Sequence, residues 1–365
     1  MTLSFILPKW FDAHTHLRQG GLIRPILKSQ IDMGCYAVLA MPNTKPPIAT
    51  LQKGDDDHFW NIENYRDMIL SQGVIDHLLT PLYLTKITNT TMIEKGAKSG
   101  LLTSIKYYPP HGTTNADHGI PMDDFINSDL PKAMADNNII LNIHGEEHNL
   151  RGRDYFDSDT NAEDYFYKER MPNLVDRNPN LKIVCEHVTT KTAVDFVKAT
   201  PPNVGATITP QHLLYTIGDL VMGLKYHLFC LPIVKFDQDR QALRKAVTDP
   251  TQSKFFAGTD SAAHTMKATE CGCAAGCFTG GIAPQLYAQA FEEAGCDLTT
   301  EYDQGIFSRF LCLNGPHFYN LPRSTETFAL IKTPQSVLKI KTDDGDITPL
   351  PLGLGEQEIP WSILK

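Results

Sequence analysis

Two histidines separated by one residue, in the stretch Phe11-Asp-Ala-His14-Thr-His16-Leu-Arg18, carry the first chemical signal in the chain. On an extended strand, residues two apart share a face, so both imidazoles can aim at one ion. Neutral imidazole is a common ligand for divalent metals such as zinc. Alone, the pair reads equally well as two histidines on an exposed strand end. Further along, Lys106, His144, His187 and Asp260 each close a short run of strand-like residues, as in Asn138-Ile-Ile-Leu-Asn-Ile-His144 and Leu181-Lys-Ile-Val-Cys-Glu-His187. A lone histidine at a strand end is usually a hydrogen-bonded structural group. Four of them with an aspartate, if brought to one rim, are a metal centre.

The elements that must bring them together follow from the spacing of apolar runs. Eight strand-like segments occur at 9–16, 35–42, 76–84, 101–106, 138–144, 181–187, 203–209 and 254–260. Continuous apolar runs suit strands buried on both faces, as in a parallel sheet covered by helices. Helical stretches are expected between them at 21–33, 58–72, 89–98, 123–137, 163–178, 190–199 and 237–248. Eight alternating units predict an α/β fold, a (β/α)8 TIM barrel, in which every strand's carboxyl end opens on the same face. Two more helices are expected at 284–294 and 301–313. The chain divides into a barrel domain over 1–320 and a short C-terminal appendage over 321–365 with some strand character.

On these motifs the sequence resembles the amidohydrolase superfamily and, within it, the dihydroorotase family of the free-standing bacterial and fungal type. The matching stretches are Asp12-Ala-His14-Thr-His16-Leu-Arg18, Met41-Pro-Asn43-Thr-Lys-Pro-Pro and Lys106-Tyr-Tyr-Pro-Pro-His-Gly-Thr-Thr-Asn115. They continue in Asn142-Ile-His144-Gly-Glu, Glu186-His187-Val-Thr-Thr, Ala206-Thr-Ile-Thr-Pro-Gln-His212, Phe229-Cys-Leu231-Pro-Ile and Gly258-Thr-Asp260-Ser-Ala-Ala-His264. Together they span residues 12–278 in the family's order.

The resemblance implies two Zn2+ ions per subunit and a Lys106 converted by CO2 to a carbamate, N6-carboxylysine. An ammonium has no lone pair to donate, whereas a carbamate behaves as a long carboxylate with an oxygen for each ion. By that likeness His14, His16, Lys106 and Asp260 hold one zinc, and Lys106, His144 and His187 hold the other. A hydroxide shared by the ions would attack a ring amide carbonyl, with Asp260 as the catalytic proton shuttle. The implied activity is the reversible closure of N-carbamoyl-L-aspartate to (S)-dihydroorotate in de novo pyrimidine synthesis. Arg18, Asn43 and His264 would bind the substrate carboxylate. Leu231 and Ala275 would supply backbone contacts, although counting forward from His264 gives Ala274 in place of Ala275. Thr113 and Thr114 would close over the substrate from the long loop 107–119. A homodimer is implied by the resemblance alone.

Composition narrows the partners. The chain has 365 residues, 42% hydrophobic and 21% charged, which is ordinary for a globular protein. A formal charge of -9 without a long basic run argues against nucleic acid and against a polybasic membrane anchor, leaving small molecules as the default partner. The first residues lack the pattern of a secretory leader, and eight cysteines, several in apolar strand-like runs, fit reduced thiols; a cytoplasmic location is expected. The cluster Cys271-Gly-Cys273-Ala-Ala-Gly-Cys277 lacks the distant partner pair of a structural zinc site and reads as packed thiols. His111 and Ala263 depart from the family's pattern, where an uncharged residue and a proline are expected. His212 is a further candidate ligand or a structural hydrogen bonder, and Glu146 and Glu147 are possible supports for His144. Two rivals remain: a hydantoinase- or allantoinase-like enzyme acting on another ring, and an inactive barrel kept as a binding partner.

Overall fold

The computed structural model describes residues 3–56, 58–113 and 115–364. Its centre is a closed barrel of eight parallel strands: β1 (Trp10–His16), β2 (Cys35–Ala40), β3 (His77–Leu79 with Leu82–Tyr83), β4 (Ser104–Tyr107), β5 (Ile140–His144), β6 (Ile183–Glu186), β7 (Val204–Ile208) and β8 (Phe255–Ala257 with Ser261–Ala262). The expected segments 76–84 and 254–260 are not continuous strands. In each, the first and second pieces pair with different neighbours, and these breaks close the ring. His77–Leu79 pairs with β2 and Leu82–Tyr83 with β4, while Phe255–Ala257 pairs with β7 and Ser261–Ala262 with β1. The first break falls at Thr80-Pro81, where proline has no N–H for the ladder. The second falls at Gly258-Thr259-Asp260, with Asp260 in left-handed backbone at φ 48.

Alternation along the strands builds two cores. Phe11, Ala13, Ala37, Leu39, Ile140, Val184 and Phe256 fill the barrel interior, which Phe318 and Tyr319 plug at its floor. The opposite strand faces, with residues such as Val38, Ile105, Leu141, Cys185 and Ala206, meet the surrounding helices in the larger core. The helix expected over 123–137 is two helices, Met122–Ile126 and Leu130–Asp136. The Ser128 hydroxyl donates to Phe125 O and accepts from Leu130 N, and Pro131 sits in the first turn of the second helix, where its missing N–H costs nothing.

The chain's start and tail share one sheet. Ser4–Pro8 pairs antiparallel with Thr327–Ile331, which pairs in turn with Ser362–Leu364. Trp361 is fully buried there, edge-on to Phe5 with ring centroids 5.7 Å apart. Among the described residues, no helix is long and apolar enough to cross a membrane.

Candidate active site

A bulge in β1 decides where the first two histidines point. Between Asp12 and Thr15 that strand advances three residues while β2 advances two, from Val38 to Ala40. Phe11 and Ala13 therefore face the barrel interior below the bulge, and His14 faces inward above it, as bulges beside sites often arrange. His14 is close to Gly258, where a Cβ would stand 2.7 Å from Thr207 and 3.2 Å from His14 Cβ. Only glycine leaves that room.

The barrel mouth gathers the histidines into a row. Ring centroids of His16 and His14 are 5.4 Å apart, those of His14 and His187 4.9 Å, and those of His187 and His144 4.8 Å. Asp260 Oδ1 lies 2.9 Å from His16 Nε2 and 3.2 Å from His14 Nε2. His14, His16 and Asp260 form the group of three buried ligand atoms that could hold an ion among the described residues. Lys106 is completely buried in the same region, its Nζ 5.0 Å from the centre of the Tyr108 ring.

Burial sets the protonation of this cluster. It drives His16 down to about 4 and carries His187 and His144 below the ordinary imidazole value, so their lone pairs are free for a cation. His14 differs: burial opposes its charge, but the Glu186 carboxylate beside it turns the shift upward. Asp260 stays anionic, because hydrogen bonds from His14 and His16 override the effect of its burial. Burial also lowers Lys106 to about 8, and its Nζ is a buried nitrogen without a hydrogen-bond partner, as is His187 Nδ1. An amine so placed is available for carbamylation, and orphaned donors of this kind mark a centre built for groups other than side chains.

Arg18 and His264 form a second group near His16. Arg18 Nε donates to Ala263 O at 2.9 Å, and its Nη2 lies 3.0 Å from His264 Nε2. The same His264 nitrogen is 2.8 Å from Ala275 O. One ring nitrogen cannot serve both: protonated, it donates to Ala275 and opposes the guanidinium N–H; deprotonated, it accepts from Arg18 and loses Ala275. Arg18, Asn43 and Thr113 line the cleft above the histidines, together with Leu231, Ala275 and Gly276, while His264 is not among the lining residues. Asn115 Nδ2 donates to Asn43 O at 2.9 Å, tying loop 107–119 to the segment after β2. Thr114 lies outside the described residues.

Three supports were not singled out from sequence. Glu186 accepts from His14 Nδ1 at 2.6 Å, from Thr207 Oγ1 at 2.9 Å and from Asn142 Nδ2. Asp12 accepts from Thr259 N and Oγ1 at 2.9 and 2.6 Å, holding the break in β8 against β1. Tyr108 lines the cleft beside Lys106. Glu186 and Asp12 stand inside the histidine motifs, and that adjacency was the signal available. Glu146, weighed as a support for His144, accepts from its Nε2 at 2.9 Å, while Glu147 pairs with Arg170 at 2.7 Å. His212 is hydrogen-bonded on both nitrogens, to Thr209 and to Pro232 O. Its role is structural. All eight cysteines are free thiols.

A (β/α)8 barrel with neutral imidazoles, an anionic aspartate and a buried amine at its carboxyl face is the architecture of a metal-dependent cyclic amidohydrolase. No family profile matches the chain. Among curated proteins it is similar to the dihydroorotase of Halorhodospira halophila, 38% identical over 366 residues and 99% of each chain. That of Acaryochloris marina is 38% identical over 97% of this chain and 96% of its own. Among solved structures, dihydroorotase from Saccharomyces cerevisiae in complex with 5-fluoroorotic acid superposes with a TM-score of 0.85 at 27% identity, covering 99% of this chain and 98% of that one. Dihydropyrimidinase from Brevibacillus agri has the same fold, with a TM-score of 0.75 at 14% identity over 99% and 84%. The chain belongs to the dihydroorotase family.

Proposed function

We propose that the chain catalyses the reversible cyclisation of N-carbamoyl-L-aspartate to (S)-dihydroorotate with release of water, a step of de novo pyrimidine synthesis. The observation that carries this reading is that the histidine–aspartate row and the Arg18 guanidinium, a fork suited to a carboxylate, line one cleft, with His264 in contact with Arg18. The ligand found in the Saccharomyces cerevisiae relative, 5-fluoroorotic acid, is itself a carboxylated ring.

His14, His16, Asp260 and carbamylated Lys106 would hold one zinc, and Lys106, His144 and His187 the second. When bound, the ions supply Lewis acidity that polarises a carbonyl and makes water acidic near neutral pH. Arg18, Asn43 and His264 hold the substrate carboxylate. Backbone groups of Leu231 and Ala275 orient the ring, with Thr113 and Thr114 closing the loop above and excluding water. In ring closure, the ureido nitrogen attacks the side-chain carboxyl carbon. Asp260 takes the proton that nitrogen sheds and returns it to the departing carboxylate oxygen, which takes up one further proton from solvent and leaves as water. Ring opening reverses each transfer.

The reading includes a homodimer in the cytoplasm, with 1–320 as the hydrolase domain and 321–365 as an extension packed on it. The decisive assay measures turnover of N-carbamoyl-L-aspartate, dihydroorotate and hydantoin side by side, with metal content determined on the same sample. Turnover of hydantoin without dihydroorotate overturns the substrate; protein without transition metal overturns the chemistry.

A further inference from the structure

We infer that Lys267 is a positioning residue that clamps together the two loops from which the substrate's backbone contacts come, and so sets affinity for the carboxylated ring. The inference rests on the function proposed above and deepens it.

Lys267 stands before a small antiparallel hairpin, Ala268–Thr269 with Gly272–Cys273, yet its side chain turns inward and is only 6% exposed. Its Nζ donates to Phe229 O at 2.7 Å, Ala274 O at 2.6 Å and Gly276 O at 2.5 Å. An ammonium has three N–H donors, and here each has one carbonyl. The acceptors come from two loops far apart in sequence. Phe229 lies two residues before Leu231, and Ala274 and Gly276 flank Ala275. All three residues of interest at the cleft, Leu231, Ala275 and Gly276, are therefore held within two residues of a Lys267 bond.

The loops also touch directly, where Gly276 N donates to the same Phe229 O at 3.0 Å and Cys277 Sγ donates to His227 O at 3.5 Å. Lys267 reinforces that contact from the other side. Gly276 has φ 131, and a Cβ there would stand 2.6 Å from Ala262 and 3.1 Å from His264 Nε2, so this loop packs directly against His264. Slack in the clamp moves Ala275 O, the carbonyl that competes with Arg18 for His264. Carbonyls, not carboxylates, surround the ammonium. Its positive charge is thus unspent by an acid partner and adds to that of Arg18 near the cleft, which burial strengthens.

Lys267→Met keeps the length of the side chain and removes all three donors. In the metal-loaded full-length protein, KM for N-carbamoyl-L-aspartate and Kd for orotate should both rise about ten-fold or more, the loss of charge-assisted hydrogen bonds. Metal content and kcat at saturation should stay near those of the unaltered protein. Hydrogen exchange should accelerate at 229–231 and 274–277 and not at the histidine-bearing strands. A role confined to stability would lower Tm and leave KM and Kd in place, and that result overturns the inference. Should Lys267→Met fail to fold, Lys267→Arg decides: its planar fork cannot serve three converging carbonyls, so an unchanged KM there overturns it too. Unaltered protein that does not turn over N-carbamoyl-L-aspartate refutes the parent reading instead.

Discussion

Replacing Glu186 by glutamine should weaken metal binding about ten-fold while leaving the barrel intact. Glu186 is completely buried and receives three donors on two oxygens: His14 Nδ1 and Thr207 Oγ1 on Oε2, and Asn142 Nδ2 on Oε1. Once a bound metal displaced the Nε2 proton that His14 shares with Asp260, the contact would keep the remaining ring proton on Nδ1 and aim the Nε2 lone pair at the ion. Glutamine has the same shape but one acceptor oxygen. If that oxygen takes the Oε2 place, its NH2 faces the Asn142 amide, which can turn to present Oδ1, an atom without a partner in the present arrangement. The packing cost is then small, and what remains is the loss of charge. A hydrogen bond to a charged group contributes about 1.5–3 kcal/mol and a neutral one about 0.5–1.5, a difference of about 1–1.5 kcal/mol. That is about one decade in affinity, at the lower edge of the 10–100-fold typical of such supporting residues. Competition with a chromophoric chelator measures it, with circular dichroism as the check on folding. An affinity equal to that of the unaltered protein would refute the assignment of His14 Nδ1–H to Glu186 as the feature that orients the ligand.

Other expectations test separate parts of the site. Lys106→Ala should lower turnover by at least about a hundred-fold and reduce bound metal; for the unaltered protein, reloading after metal removal should be faster with bicarbonate than in CO2-free buffer, and no dependence would exclude the carbamate. Arg18→Met should raise KM for N-carbamoyl-L-aspartate about ten- to a hundred-fold, as expected for lost charge-assisted bonds, without changing metal content; an unchanged KM would place the carboxylate elsewhere. Thr113→Ala should cut kcat several-fold with full metal occupancy, and unaltered kinetics would remove the loop from the mechanism.

The barrel was legible in the sequence because parallel strands covered on both faces must be apolar throughout, and runs such as Cys35-Tyr-Ala-Val-Leu-Ala announce themselves. The breaks in β3 and β8 were less so. Pro81 and Gly258 hint at them, but which partner each half chooses depends on ring closure. The positions of His14, His16, His144, His187, Lys106 and Asp260 could be read because strand ends of one barrel share a face. The bulge in β1 could not, since it is a mismatch between two strands and not a property of either. Glu186 and Lys267 escaped for a related reason: Glu186 meets His14 across 172 residues and Lys267 meets Phe229 across 38. A buried lysine bonded only to carbonyls leaves no acidic partner in the sequence to pair it with.

Backbone strain marks the same site from another direction. Arg18, His187 and Asp260 adopt left-handed conformations, at φ 62, 39 and 48, where an L side chain costs about 1–2 kcal/mol. Each is tied down by a bond to a neighbouring element. Asp260 N donates to His14 O at 2.8 Å, His187 N to Thr207 Oγ1 at 2.7 Å, and Tyr65 OH to Arg18 O at 3.1 Å. Thr207 Oγ1 in turn donates a hydrogen bond to Glu186, so one hydroxyl holds the strained His187 backbone and the carboxylate that orients His14. Strain of this kind persists only where the surroundings overdetermine it. Here the strand ends abandon regular alternation so that side chains from β1, β6 and β8 can converge, and the barrel's buried hydroxyls and carboxylates are spent holding them in place.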